Sequence, residues 1–204
     1  MTTIYLIRHS VKMKTPRSGM SAAFDQMQPL SGEGEARAKA LLNVTELRKA
    51  DFAVASTTAR AISTIRYIIE ADGLAYETDV RLRELEFGGF PNQPSPPVKP
   101  GHGLRKRQWH DIDLAPEGGE SIRQCRTRMT EAINDIAAAH SGERILVASH
   151  GAAICAYLSG IIPGIDHEFV MQVGQPEVFV LRFDGGASPS VSRLGLPFDT
   201  GIER

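Results

Sequence analysis

Cysteine and aromatic residues are scarce: two cysteines and one tryptophan in 204 residues, with 6% aromatics overall. Cys125 and Cys155 show neither C-x-x-C spacing nor a histidine at metal-ligand spacing. A multi-disulfide scaffold and a zinc ribbon are thereby excluded, and two free buried thiols are expected. No run of about 18 apolar residues is available to span a bilayer. The N-terminus also lacks the basic-then-apolar order of a secretory signal. Charge of one sign is missing too: 23 Lys and Arg face 24 Asp and Glu, for a formal net charge of -1. Nothing global attracts nucleic acid or a membrane surface, so any anion binding must come from local clusters. A cytoplasmic protein with neither partner is the expectation.

What is present is alternation. Short apolar runs alternate with longer amphipathic ones, the pattern of strands and helices packed in α/β layers. The length suits a single domain over 1–204. Strands are expected over 3–7, 52–55 and 143–149, and in the late segments EVFVLRFD and SVSRLG. Ser31 reads as the N-cap of a helix with Glu33 and Glu35 in its first turn, running on through Leu41, Leu42 and Val44 to Leu47. A second helix, in TTARAISTIRYIIEADG, closes at Gly73. A third spans 120–140 on a stripe of Ile122, Met129, Ile133, Ile136 and Ala137, and AAICAYLSG makes a fourth. Between Gly88 and Pro116 the pattern breaks. PNQPSPPVKPGHG holds five of the twelve prolines, so a loop without helix or strand is expected at about 89–116, long enough to be functional.

Two of the strands end in a histidine: IYLI runs into Arg8-His9, and RILVAS into His150-Gly151. Ligands of open parallel sheets bind beyond the carboxyl ends of the strands, where both histidines fall. A third strand, FAVA, leads into STTARA, which sets Arg60 near a helix N-terminus that already favours an anion. Two arginines and two histidines make a cationic pocket the size of one phosphate, and the planar arginine fork matches paired phosphate oxygens. A histidine must be neutral to attack, and Arg8 and Arg60 disfavour the imidazolium of His9. Ser10 is not read as the nucleophile, because neighbouring side chains on extended backbone point to opposite faces and His9 could not serve as its base.

Six segments in order, TIYLIRHS, LSGEGEARA, ASTTARAIST, LRELEFGG, PEGGES and VASHGAAI, resemble the successive motifs of the histidine phosphatase superfamily, which includes phosphoglycerate mutases and many small phosphatases. The resemblance runs from about residue 4 to about residue 157. It implies a phosphoglycerate mutase-like α/β three-layer sandwich with a mostly parallel central sheet flanked by helices. It implies His9 as the nucleophile that takes up the phosphoryl group, with Arg8, Arg60 and His150 holding the phosphate oxygens; Ser10 and Gly151, their immediate neighbours, are read as further substrate contacts. Glu84 matches the general acid, and Glu86 two residues on is its rival. No metal or cofactor is implied. The substrate would be a small phosphorylated metabolite, and a homodimer is compatible with the pattern.

The basic run Arg105, Lys106 and Arg107, with Lys99, falls where the family commonly forms a flap over the substrate, while Glu120 and Ser121 read as helix caps. His102, His110, His140 and His167 read as exposed and uninvolved. The chain departs from the pattern in carrying Ser10 for a glycine, Thr15 for an asparagine, and Gly89-Phe90-Pro91 for a tryptophan-glutamate-glycine sequence. The Ser10 hydroxyl is expected to donate to a phosphate oxygen or to brace the main chain. Metal-independent phosphomonoester hydrolysis is the leading function. A phosphoglycerate mutase is the alternative enzyme, disfavoured because only about 30 residues separate the acid motif from PEGGES. A phospho-ligand binding protein without turnover is the alternative outside enzymes.

Overall fold

Strand β1 (Thr2–Arg8) buries Ile4 and Leu6 on one side and Tyr5 and Ile7 on the other, so it must be covered on both faces. The computed structural model describes residues 1–14, 26–86, 88, 101–186 and 188–198. It places β1 inside a six-stranded sheet of order β3-β2-β4-β1-β5-β6, with β2 (Phe52–Ala55), β3 (Tyr76–Thr78), β4 (Arg144–Ser149), β5 (Glu177–Phe183) and β6 (Ser190–Arg193). The four strands from β3 to β1 run parallel, and β5 is antiparallel to both its neighbours. The sheet is therefore mostly parallel, as expected.

Helices cover both faces. On one, α4 (Ile122–Ala139) and α5 (Gly151–Leu158) pack over Ile4, Leu6, Ile145, Val147, Phe179 and Leu181. On the other, α2 (Ala59–Asp72) packs over Tyr5, Ile7, Leu146, Ala148, Val178 and Val180, with α1 (Gly32–Ala40) beside it. The result is the three-layer α/β sandwich. Adjacent strands β1 and β4, whose last pair is Arg8 with Ser149, send the chain to helices on opposite faces. That divergence opens a crevice beyond their carboxyl ends.

Local chemistry sets the helix ends. Gly73 closes α2 in the left-handed region at φ 64°, where a side chain would be strained. Ser121 and Gln124 form a reciprocal capping box at the start of α4. Ser31 caps α1 by accepting from Gly34 N, and Gly34 has a second reason to be glycine: a Cβ there would lie 1.9 Å from the Val11 carbonyl oxygen. This close approach seats α1 against the segment that follows β1.

Two expectations are corrected. The first helix does not continue to Leu47 but ends at Ala40, followed by short 3-10 turns at Leu41–Asn43 and Leu47–Lys49. Leu41, Val44 and Leu47 are all buried, and their spacing of three lines them up on a three-residue turn rather than on an α-helix. The stretch 89–116 is also not all loop, because α3 (Gly101–His110) forms within it. No proline lies between Pro100 and Pro116, and a proline just ahead of a helix is compatible with it. Tertiary contacts then hold it: buried Gln108 donates to the carbonyls of Leu114 and Glu120 at 3.2 and 3.1 Å, and Trp109 packs on the larger core. The proline-rich part, 89–100, with Lys99, lies outside the described residues, as does Thr15.

Both cysteines are free and buried. Among the described residues no helix is long and apolar enough to cross a membrane. The remaining helix, α6 (His167–Met171), is short and sits beside α3 and α5.

Candidate active site

His9 follows β1 directly, and its N–H donates to the Ser149 carbonyl at 2.9 Å, extending the β1–β4 ladder by one residue. The ring is 4% exposed, and its Nδ1 lies 2.7 Å from the Ser10 carbonyl oxygen. A carbonyl can only accept, so Nδ1 carries the proton and Nε2 keeps its lone pair. The imidazole is thus held in one tautomer by its own neighbour in sequence.

That neighbour is held in turn. Ser10 N donates to Thr64 Oγ1 at 2.9 Å, and Thr64 Oγ1 donates to the Arg60 carbonyl at 2.8 Å. Thr64 is fully buried one turn along α2, and it ties the segment after β1 to the helix that carries Arg60. Ser10 is buried without a positive φ, so serine is not strained where a glycine was anticipated. Its hydroxyl has no hydrogen-bond partner.

His150 is the N-cap residue of α5 and is fully buried. Its Nε2 lies 2.9 Å from Ser56 Oγ and 3.3 Å from Thr58 Oγ1, both in the turn between β2 and α2. Thr58 occupies the N-cap position of α2 but makes no side-chain cap bond; its hydroxyl faces His150 instead. His150 Nδ1 is buried with no partner. The His9 and His150 rings meet edge to face, with centroids 5.1 Å apart.

Arg60, 2% exposed, is among the largest fully enclosed side chains. Arg8 donates through Nη1 to the Val173 carbonyl and leaves Nε without a partner. Its guanidinium lies against Gly151, where a Cβ would come within 2.8 Å of Arg8 Nε. Any side chain at 151 would displace the arginine. Gly151 therefore makes room for Arg8.

Glu84 emerges from a short turn at Val80–Leu82 and turns its carboxylate onto α5. Oε1 accepts from Leu85 N at 2.9 Å and from Ala153 N at 3.0 Å, the latter in the first turn of the helix, where unpaired N–H groups attract an anion. Oε2 receives neither bond. Glu86, by contrast, is exposed and pairs with Arg83 at 2.9 Å. The two glutamates do not share a face, because the segment is irregular rather than a strand. The acidic candidate at the crevice is Glu84.

The structure thus gathers Arg8, His9, Ser10, Arg60, Glu84, His150 and Gly151 at one end of the sheet. Of the basic run, Arg105 on α3 interacts electrostatically with Glu84, Lys106 is paired with Glu168 at 2.9 Å, and Arg107 is exposed. His140 is half-buried, stacked on Phe52 and bonded to Glu143, and His167 is also half-buried. Neither is the exposed side chain expected. Ser56, Thr58 and Thr64 were not singled out from sequence. The polar letters around Arg60 in ASTTARAIST were the only signal, and serine and threonine near a helix start ordinarily read as caps. Among the described residues no group of three or more His, Cys, Asp or Glu is placed to hold a metal ion.

Burial pushes both imidazoles well below the ordinary histidine value. For His9 the Ser10 carbonyl opposes this, while Arg60, Arg8 and Lys12 add to it. For His150 the added causes are His9, Arg60, Lys12 and Arg128. The unfolded chain regains ordinary values near 6.5. Below that pH it binds protons that the folded protein refuses, so stability falls as pH drops from about 6.5 toward the folded values. The slope is up to about 1.4 kcal/mol per pH unit for each histidine. Urea midpoints should decline between about pH 7 and pH 5.5, and less steeply in His150→Asn. Identical profiles for the two proteins would mean that His150 is not held neutral.

A family model described as histidine phosphatase superfamily (branch 1) matches residues 4–195. Among curated proteins, a probable phosphoglycerate mutase GpmB of Yersinia enterocolitica is 27% identical over 168 residues, covering 79% of this chain and 75% of its own. Among solved structures, phosphoserine phosphatase from Entamoeba histolytica in complex with 3-phosphoglyceric acid aligns with a TM-score of 0.74 at 21% identity, over 96% of this chain and 98% of its own. A mycobacterial glucosyl-3-phosphoglycerate phosphatase aligns with a TM-score of 0.70 at 21% identity, over 94% and 96%. These structures share the fold of this chain.

Proposed function

Because the chain belongs to the histidine phosphatase superfamily, we propose that it is a metal-independent phosphomonoesterase that hydrolyses a small phosphorylated metabolite through a phosphohistidine at His9. The observation that carries this reading is the hydrogen bond from His9 Nδ1 to the Ser10 carbonyl, which leaves the Nε2 lone pair as the nucleophile. In the first step Nε2 bonds to phosphorus and the ester P–O bond breaks. Glu84 delivers the proton of its Oε2 to the departing oxygen, and the Ser10 carbonyl stabilises the positive phosphoimidazole through Nδ1–H. In the second step the Glu84 carboxylate takes a proton from water, the water oxygen bonds to phosphorus, and the P–N bond breaks. Inorganic phosphate leaves, and His9 returns neutral.

Arg8, Arg60 and His150 would bind the phosphoryl oxygens and offset their charge in the transition state. Arg8 Nε, Ser10 Oγ and His150 Nδ1 are buried polar atoms without partners, and each could donate to phosphate at no cost in broken bonds. For His150 this requires the neutral Nδ1–H tautomer, with Nε2 accepting from the Ser56 hydroxyl. Protonation of the ring is then unnecessary. Gly151 contributes indirectly, through the place it leaves for Arg8.

Arg105 interacts electrostatically with Glu84, the group that serves the leaving oxygen in this reading, and its guanidinium suits a second anionic group on the substrate. Phosphorylated carboxylic acids, such as phosphoserine, 3-phosphoglycerate and glucosyl-3-phosphoglycerate, are the first candidates. A panel of these and of generic esters, assayed for phosphate release with and without chelator, tests the function. Release from at least one, insensitive to chelator, is expected. Arg105→Gln should then raise KM for the carboxylated substrate by about tenfold, the scale of a charge-assisted contact, and leave that for a neutral aryl phosphate unchanged. Equal effects on both would return α3 to a purely structural role. The name of the Yersinia relative keeps a mutase in view: conversion of 3- to 2-phosphoglycerate dependent on 2,3-bisphosphoglycerate, without net phosphate release, would replace the hydrolase reading. No release from any ester, with tight binding of phosphate, would favour a ligand-binding protein.

A further inference from the structure

The segment that carries Glu84 has no strand or helix of its own: residues 84–86 are irregular, so their carbonyls have no ladder to satisfy them. Arg128, on the second turn of α4, supplies the partners. Its Nη1 donates to the carbonyls of Arg81 at 2.5 Å and Arg83 at 2.9 Å, and its Nη2 to that of Glu84 at 3.1 Å. The guanidinium is held on its other edge by Glu120, through Nη2 to Oε1 and through Nε to Oε2 at 3.0 Å. Glu120 Oε1 also accepts from Glu86 N at 3.0 Å, and Glu120 N donates to the Glu86 carbonyl at 2.9 Å. Four residues of the acid segment are thus bound, through their main chain, to one ion pair whose side chains are only 21% and 14% exposed. Glu120 was expected to cap α4; Ser121 and Gln124 do that.

A planar guanidinium with five donors in fixed directions can bridge three carbonyls and a carboxylate at once, which no other side chain can. Glu120 also anchors α3, because its main-chain carbonyl accepts from Gln108. We propose that Arg128, paired with Glu120, is the positioning residue for the proton donor: it sets where Glu84 Oε2 stands relative to the leaving oxygen. This inference rests on the reading of Glu84 as the general acid. In this role Arg128 works through the main chain of residues 81–86, while its positive charge, felt by both Glu84 and His150, is kept in a lysine variant.

A residue that merely stabilises the fold would slow all substrates alike. One that places the acid should matter only where a proton is needed. Lysine at 128 keeps the charge but not the fork. In Arg128→Lys, kcat for an alkyl phosphate should fall by about tenfold or more, the scale of a misplaced catalytic group, while kcat for 4-nitrophenyl phosphate, whose leaving group needs no proton, stays within about twofold. In a Glu84→Gln background the same substitution should leave the alkyl-to-aryl ratio unchanged, since the acid is already gone. Equal loss on both esters in Arg128→Lys, or a further change of ratio in the double variant, would overturn the proposal. If Glu84→Gln by itself fails to change the ratio, the acid assignment is what has failed. Glu120→Gln, which keeps the shape of the pair and removes one charge, is measured in parallel and carries the same test should Arg128→Lys not accumulate as folded protein.

Discussion

Replacing His9 by alanine is expected to abolish phosphoenzyme formation and to lower turnover by about 10⁴-fold or more, the loss typical of removing a nucleophile. Among the described residues the site offers no substitute for it. His150, the nearer imidazole, has its Nε2 engaged by Ser56 and Thr58 and is fully enclosed. The Ser10 hydroxyl has no base, because the His9 ring spends Nδ1 on the Ser10 carbonyl rather than on Oγ. Rapid acid-free quenching of the wild type with ³²P-labelled substrate should trap a species stable to base and labile to acid, the signature of a phosphorus–nitrogen bond. His9→Ala should show none. Since alanine leaves a hole in a packed site, near-ultraviolet circular dichroism and phosphate binding are recorded on the same preparation. Turnover within tenfold of wild type in a folded His9→Ala would discard covalent catalysis at this residue.

The second large effect is expected at Glu84. Its carboxylate is divided by the structure: Oε1 is committed to Leu85 N and Ala153 N, and Oε2 is left for the proton. Glutamine is therefore an unusually selective probe. Its amide oxygen can keep both backbone bonds, and its NH₂ fills the place of Oε2 without a transferable proton. Glu84→Gln should lose about 10²-fold or more in kcat for an alkyl phosphate, the usual range for general acid catalysis, and distinctly less for 4-nitrophenyl phosphate. Its stability should stay near wild type, because the contacts to α5 survive. Glu86→Gln should be nearly silent, since Glu86 is exposed and paired with Arg83, and exposed pairs of this kind contribute little. Equal losses for the two esters in Glu84→Gln would make Glu84 structural. A larger effect at Glu86 would move the proton donor there.

Arg8, His9 and His150 were legible because each ends or immediately follows an apolar run, and Arg60 because it falls near the start of the helix that follows one. A buried parallel strand must be apolar on both faces, so a charged or imidazole side chain at its end stands out by contrast and must be there for another reason. The same contrast located five of the six strands and the long helices other than the first to within two residues, but it missed the short edge strand Tyr76–Thr78, whose exposed residues leave no apolar mark. It failed where the governing period was not the one assumed, as for Leu41, Val44 and Leu47, or where composition argued against an element that tertiary contacts hold, as for the glycine-bearing helix Gly101–His110.

The sequence by itself therefore determined the layered fold and that Arg8, His9, Arg60 and His150 meet at the carboxyl end of the sheet, because burial leaves a local, periodic mark on the chain. Only the tertiary structure decided which atoms of those residues are engaged. The tautomer of His9 depends on the carbonyl of Ser10, a residue whose own N–H is held by Thr64, fifty-four positions later. The orientation of His150 depends on Ser56, ninety-four positions earlier, and the choice between Glu84 and Glu86 on Arg128 and Ala153. Hydrogen bonds act over about 3 Å and demand direction as well as distance, so partners this far apart in the chain acquire no common pattern in the sequence and become visible only when the fold has brought them together.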